Sequence, residues 1–179
     1  MYNFGIQFCF DRGYHRFVII LRDPLDAALS EFNRKRSFKQ DKEHSHTGHA
    51  TLDQFEGPDW PFFVKHYFKS WKEFYEQAAT FGSNKVCVLV YENLIQDVVG
   101  ELKGCTAFLG FQLNSEQGKC IGKDQEGGFH RAPMSKEDLE IIFAKPFTTQ
   151  ELDYFNTTKI QVMQKLLANS YNHANKSSK

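Results

Sequence analysis

Long hydrophobic runs are missing from this sequence. No stretch reaches the ~18 consecutive apolar residues that a membrane-spanning helix needs, and segments such as Phe17–Leu21 are strand-sized. The start, Met1 to Phe10, lacks a basic opening followed by a sustained apolar segment, so it does not read as a secretory signal. Net charge is missing as well: 22 Lys and Arg face 22 Asp and Glu in 179 residues. This balance argues against a chain whose main task is to coat nucleic acid or an anionic membrane. A local anion site stays open, because a total says nothing about how charges are placed. Cysteine is scarce, and Cys9, Cys87, Cys105 and Cys120 show no CxxC spacing, which excludes a zinc module. Cys87 reads as a small core residue, and Cys105 and Cys120 could pair in an oxidising compartment. No internal repeat and no linker divides the chain.

What the sequence does hold is aromatic mass. Eighteen Phe, with 41% hydrophobic and 25% charged residues, describe a globular domain with a bulky core and exclude wholesale disorder.

Phe17-Val18-Ile19-Ile20-Leu21 is a continuous β-branched run of the kind that forms a strand buried on both faces. It stops at Arg22-Asp23-Pro24, where proline suits the first turn of a helix. Leu25, Ala28, Leu29 and Phe32 then mark one helical face. Ser37 to Gly57 reads as a polar loop. A helix resumes at Pro61 with Asp59 as N-cap, and its aromatic face steps through Phe63, Tyr67, Trp71, Phe74 and Ala78 until Gly82. That stripe is expected in the core, not as a sugar platform. Val86 to Val90 is a second buried strand, closed by Tyr91-Glu92-Asn93, and a helix follows to about Leu109. Gly122 to Met134 reads as a loop. Thr148 and Glu151 form a capping box before a last helix, and the tail beyond Asn172 is polar.

This order implies a parallel α/β layer with right-handed crossovers. Two strands alone make a poor parallel sheet, so either Met1 to Phe10 adds strand structure or the chain is part of a larger domain.

Ligands of open parallel sheets bind beyond the carboxyl ends of the strands. Arg22 and Tyr91 occupy those ends. A guanidinium offers two parallel donors to an oxyanion, and Ser30 could add a hydroxyl. An ordinary salt bridge from Arg22 to Asp23 or Asp26 would account for the same arginine. His44, His46 and His49 have ligand-like spacing, but a polar loop without a fixed acidic or Cys partner reads as solvated. Arg34-Lys35-Arg36 reads as an exposed helix end. Asn156-Thr157-Thr158 and Asn175-Lys176-Ser177 are weak glycosylation sequons.

Val18 to Ser30 resembles the 3′-phosphate-binding segment of sulfotransferases that use 3′-phosphoadenosine 5′-phosphosulfate (PAPS), with Arg22 and Ser30 eight residues apart. Val86 to Leu94 is similar to a later strand of that family, whose tyrosine often lies near the adenine. Glu31-Phe32-Asn33-Arg34-Lys35, Asp59-Trp60-Pro61, Glu126-Gly127-Gly128-Phe129-His130-Arg131 and Lys145-Pro146-Phe147-Thr148 resemble the WSC-domain-containing, sialate O-sulfotransferase-like branch.

The resemblance implies an α/β, P-loop-NTPase-like sulfotransferase fold, with a parallel sheet flanked by helices. It implies Arg22, Ser30, Tyr91, Gly127, Gly128 and Arg131 as nucleotide-binding residues, and the histidine loop as a neighbour of the acceptor. It also implies PAPS as co-substrate, adenosine 3′,5′-bisphosphate as product, no metal, a glycan or glycolipid acceptor, and a Golgi location. No segment before Phe17 resembles the family's 5′-phosphosulfate loop, and no general base is identified; His15 has nothing to position it. The expected chain is therefore N-terminally incomplete: 1–15 unassigned, 16–172 a partial sulfotransferase domain, 173–179 a polar tail. A catalytically dead nucleotide- or partner-binding module is the alternative. A P-loop kinase is the third reading, weakened by the absence of G-x-x-x-x-G-K-[ST].

Overall fold

A computed structural model describes residues 13–40, 47–123 and 132–171, of which 38–40 are described by their backbone alone. The elements in chain order are β1 (Phe17–Leu21), α1 (Pro24–Gln40), α2 (Leu52–Glu56), α3 (Asp59–Ala78), β2 (Val86–Val90), α4 (Tyr91–Leu94), α5 (Val98–Leu109), α6 (Ser115–Lys123), α7 (Lys136–Ala144) and α8 (Thr149–Asn169). They fall into two compact units. One holds Met1–Arg22, Lys72–Gln125 and Ile160–Lys179; the other holds Asp23–Trp71 and Glu126–Lys159.

The first unit carries the sheet. β1 and β2 pair in parallel from Phe17↔Val86 to Leu21↔Val90, and Tyr171 lies alongside β2 in an isolated parallel bridge to Cys87. β2 is buried along almost its whole length, as expected of an apolar run. β1 is not buried on both faces. Ile19 and Leu21 are covered, but Val18 and Ile20 are 39% and 51% exposed. One face of β2, with Cys87 and Leu89, packs against Cys105, Phe108 and Leu102 of α5 and against Tyr171. That cover does not extend over the neighbouring side chains of β1. Tyr75 of α3 donates its hydroxyl to the Ile20 carbonyl at 2.6 Å.

Local chemistry sets the helix ends in this unit. Asp97 caps α5 by accepting from Gly100 N–H at 2.9 Å, and Gly110 ends it with φ of 90°, a conformation that favours glycine. α6 was not legible in the pattern. Gly118 and Gly122 lower its helix propensity, yet a Cβ at Gly118 would stand 3.3 Å from Val99 Cγ1, so the glycine allows close approach to α5.

The second unit is built on aromatic packing. Phe32, Phe55, Trp60, Val64, Phe68, Ile142, Phe147 and Phe155 form one buried cluster. Trp60 is its centre: fully buried, 5.0 Å from the Phe32 ring and 5.2 Å from the Phe55 ring, with Nε1–H donating to the Ile142 carbonyl at 2.7 Å. The buried positions of α3 are Trp60, Val64, Phe68, Trp71, Tyr75 and Ala78. Of the aromatic stripe read from sequence, Trp71 and Ala78 are buried and Phe63 and Tyr67 pack against the cluster, but Phe74 is exposed at 37% and Trp60, Val64, Phe68 and Tyr75 carry the rest of the buried face.

Other expectations shift. α1 continues through Ser37 to Gln40, and α2 lies inside the segment read as polar loop. Asp59 sits within the first turn of α3 and pairs with Arg36, so it is not the N-cap. α7, capped by Ser135 Oγ accepting from Asp138 N–H at 3.0 Å, was not expected. The Thr148–Glu151 capping box is present: Thr148 N–H donates to Glu151 Oε2 at 2.8 Å and Glu151 N–H donates to Thr148 Oγ1 at 3.2 Å. Asn156 lies inside α8 with Thr158 buried, a helical setting for the sequon.

Candidate functional site

Because Leu21 and Val90 are partners in the ladder, the next residue of each strand, Arg22 and Tyr91, emerges at the same sheet end. The two side chains meet there. The Arg22 guanidinium carbon stands 4.4 Å from the centre of the Tyr91 ring. A cation over an aromatic face is worth about 0.5–2 kcal/mol, more as the pair is desolvated. Tyr91 also opens α4, where its carbonyl accepts from Ile95 N–H at 3.0 Å, so the ring's backbone is fixed by a helical turn.

Ser30 lies in the second turn of α1, half-buried. The start of that helix is organised by Asp23. Its Oδ1 accepts from Leu25 N–H at 2.9 Å and from Asp26 N–H at 3.3 Å, and its Oδ2 accepts from Lys159 Nζ at 2.7 Å. Asp23 is therefore a helix cap held by a lysine 136 residues away, a link no sequence spacing suggests. Gly127, Gly128, His130 and Arg131 lie outside the described residues, as do His44 and His46.

The basic run is committed within the second unit. Arg34 makes two 2.7 Å hydrogen bonds to Glu31, and Lys35 stands 3.5 Å from the same carboxylate and 4.9 Å from the Phe63 ring. Partial burial pushes the Glu31 carboxyl up, but the bonds and charge of Arg34, aided by Lys35, hold it below its ordinary value. Arg36 pairs with Asp59 and lies 4.9 Å from the Phe32 ring. His49 Nε2–H donates to the Ala132 carbonyl at 2.9 Å, and the next amide, Ala50 N–H, donates to buried Asn33 Oδ1 at 2.8 Å. These ties make His49 part of the packing of its unit. A shallow apolar hollow lined by Lys136, Leu139, Glu140, Phe143, Ala144 and Leu152 contains none of the expected nucleotide residues.

A family profile described as "Sulfotransferase domain" matches residues 10–125, more than half of the chain. The chain belongs to the sulfotransferase domain family. It is similar to WSCD family members of Aedes aegypti (30% identical over 121 residues) and Drosophila melanogaster (27% over 121 residues), in each case over 66% of this chain and 36% of the relative. A third WSCD family member, from Drosophila pseudoobscura pseudoobscura, is 27% identical over 117 residues, covering 64% of this chain and 35% of its own length. The chain thus spans about a third of the length of these curated relatives. Among solved structures, a mouse sulfotransferase, SULT7A1, complexed with PAP is 19% identical, with a TM-score of 0.44 over 87% of this chain and 58% of that one. The small parallel sheet with helices accords with the α/β class of a sulfotransferase domain.

Proposed function

We propose that this chain supplies the 3′-phosphoadenosine-binding part of a sulfotransferase that moves a sulfuryl group from PAPS to a hydroxyl of a carbohydrate or glycolipid. The observation that carries the reading is Arg22 poised over Tyr91 where two parallel strands end. A guanidinium held over an aromatic ring keeps a planar, two-donor geometry suited to a phosphate, because the ring contact restrains the rotamers that an unsupported arginine would otherwise explore. Tyr91 then acts as the platform of Arg22, and adenine would meet the ring's other face or edge. Ser30 serves as a second donor to the 3′-phosphate, with Gly127, Gly128 and Arg131 as backbone and cationic contacts, on the strength of the family resemblance.

In the transfer, the acceptor oxygen forms a bond to sulfur while the S–O bond to the 5′-phosphate breaks. Adenosine 3′,5′-bisphosphate leaves, and the acceptor's proton passes to a base. Orientation and preorganised positive charge carry such a step, and no metal is required. We place the sulfotransferase part of the chain at 16–172 and its working compartment in the Golgi, again from the family resemblance.

Calorimetric titration with adenosine 3′,5′-bisphosphate and with ATP tests this reading. Preference for the bisphosphate by at least about tenfold supports it; equal affinity, or none, contradicts it. Nucleotide preference without transfer of labelled sulfate to any glycan would favour a silent nucleotide-binding module.

A further inference from the structure

Two thiols of the first unit lie together in its core. Cys87, the second residue of β2, is 1% exposed, and Cys105, in the third turn of α5, is 5% exposed. Both belong to the cluster completed by Leu89 and Phe108, with Leu102 and Tyr171 packed against it. α5 buries Gly104, Cys105 and Phe108, and Cys105 and Phe108 are the ones that join Cys87 and Leu89 of β2 in this cluster. All three described cysteines are free thiols, and Cys120 on α6 is exposed.

We infer that Cys87 and Cys105 are a disulfide-forming pair, joining the strand that ends at Tyr91 to the helix that covers it. The reaction is exchange with a low-molecular-weight disulfide. One protein thiolate attacks that disulfide's sulfur, releasing a small thiolate and leaving a mixed disulfide. The second protein thiolate then attacks the protein-side sulfur and releases the other small thiolate. Two protein thiols are oxidised, one small disulfide is reduced to two thiols, and two protons leave the protein.

The environment sets when this happens. Burial pushes the Cys87 thiol up to about 12, and the neighbouring Cys105 adds to the shift; burial raises Cys105 as well, partly offset by its hydrogen bond to Cys87. Thiolates are the attacking species. The packed pair is therefore slow to react, and exchange takes place while the chain folds, before Phe108 and Tyr171, whose rings stand 5.2 Å apart, close the cluster. The inference does not depend on the nucleotide reading.

The test is to fold the chain in a glutathione redox mixture and, separately, in dithiothreitol, then alkylate under denaturing conditions and map the peptides. We expect a linked Cys87–Cys105 peptide in the first case only, and a melting temperature about 5–10 °C higher than in the second. Cys120→Ser, at an exposed position, must leave both the link and the shift in place. A Cys105–Cys120 link, a link to Cys9, or full alkylation of Cys87 and Cys105 after oxidative folding would overturn the inference.

Discussion

The guanidinium of Arg22 lies 4.4 Å from the ring centre of Tyr91, although 68 residues separate the two in sequence. Parallel pairing in register produces this contact: each residue follows the last ladder partner of its strand, so the two leave the sheet side by side. In the proposed nucleotide site, the tyrosine serves to hold the cation in place.

It follows that the ring matters more than its hydroxyl. Tyr91→Phe should bind adenosine 3′,5′-bisphosphate within about twofold of the parent, and Tyr91→Ala should weaken it by about tenfold, the cation–π range. Calorimetry on the two variants checks this. An equal loss in both would move the role to the hydroxyl.

Trp60 should be the most sensitive aromatic position in the second unit. Trp60→Phe keeps a ring but leaves the Ile142 carbonyl buried without its 2.7 Å donor, a cost of about 1–3 kcal/mol before any cavity is counted. Thermal unfolding should shift down by about 2–4 °C per kcal/mol. Phe62→Ala, at a side chain 63% exposed, should change little.

Asp23 performs two tasks that substitution can separate. Asp23→Asn keeps an acceptor for the α1 amides but loses the charge opposite Lys159, and should cost no more than about 1 kcal/mol. Asp23→Ala removes the cap as well and should cost about 1–2 kcal/mol. Denaturant midpoints of the two variants test the order.

Glu151 sets an acid limit. The Lys65 ammonium at 2.6 Å, then the Thr148 amide and hydroxyl, hold its carboxyl down at about 2 from an ordinary 4.5. A lowered folded value means the contribution is complete above about pH 4.5 and fades as pH falls toward 2. Melting temperatures of the parent and Glu151→Gln should differ by a constant amount above pH 5 and converge below it.

The strand–turn–helix at Phe17 to Phe32 was legible because β-branched residues, a helix-starting proline and a 3.6-residue period all agree there. The same holds for Val86 to Tyr91 and for the Thr148 capping box. What sequence could not show depends on neighbours. The glycines of α6 look like helix breakers until Val99 is seen against Gly118. The open face of β1 cannot be told from a covered one, since Val18 and Ile20 are as apolar as Ile19 and Leu21. The Arg34-Lys35-Arg36 run looked like exposed charge, and only the folded unit pairs it with Glu31 and Asp59. At the candidate site, the positions of Arg22 and Tyr91 at strand ends could be read, but their mutual contact follows from register, which is a property of the pairing.

The central claim is that Arg22 reads a 3′-phosphate. Its most direct test compares adenosine 3′,5′-bisphosphate with adenosine 5′-monophosphate, which lacks that group, on the parent and on Arg22→Ala by titration calorimetry. The parent should favour the bisphosphate by at least about tenfold, and Arg22→Ala should lose most of that preference while its affinity for the monophosphate changes little. An unchanged preference in Arg22→Ala would contradict the assignment.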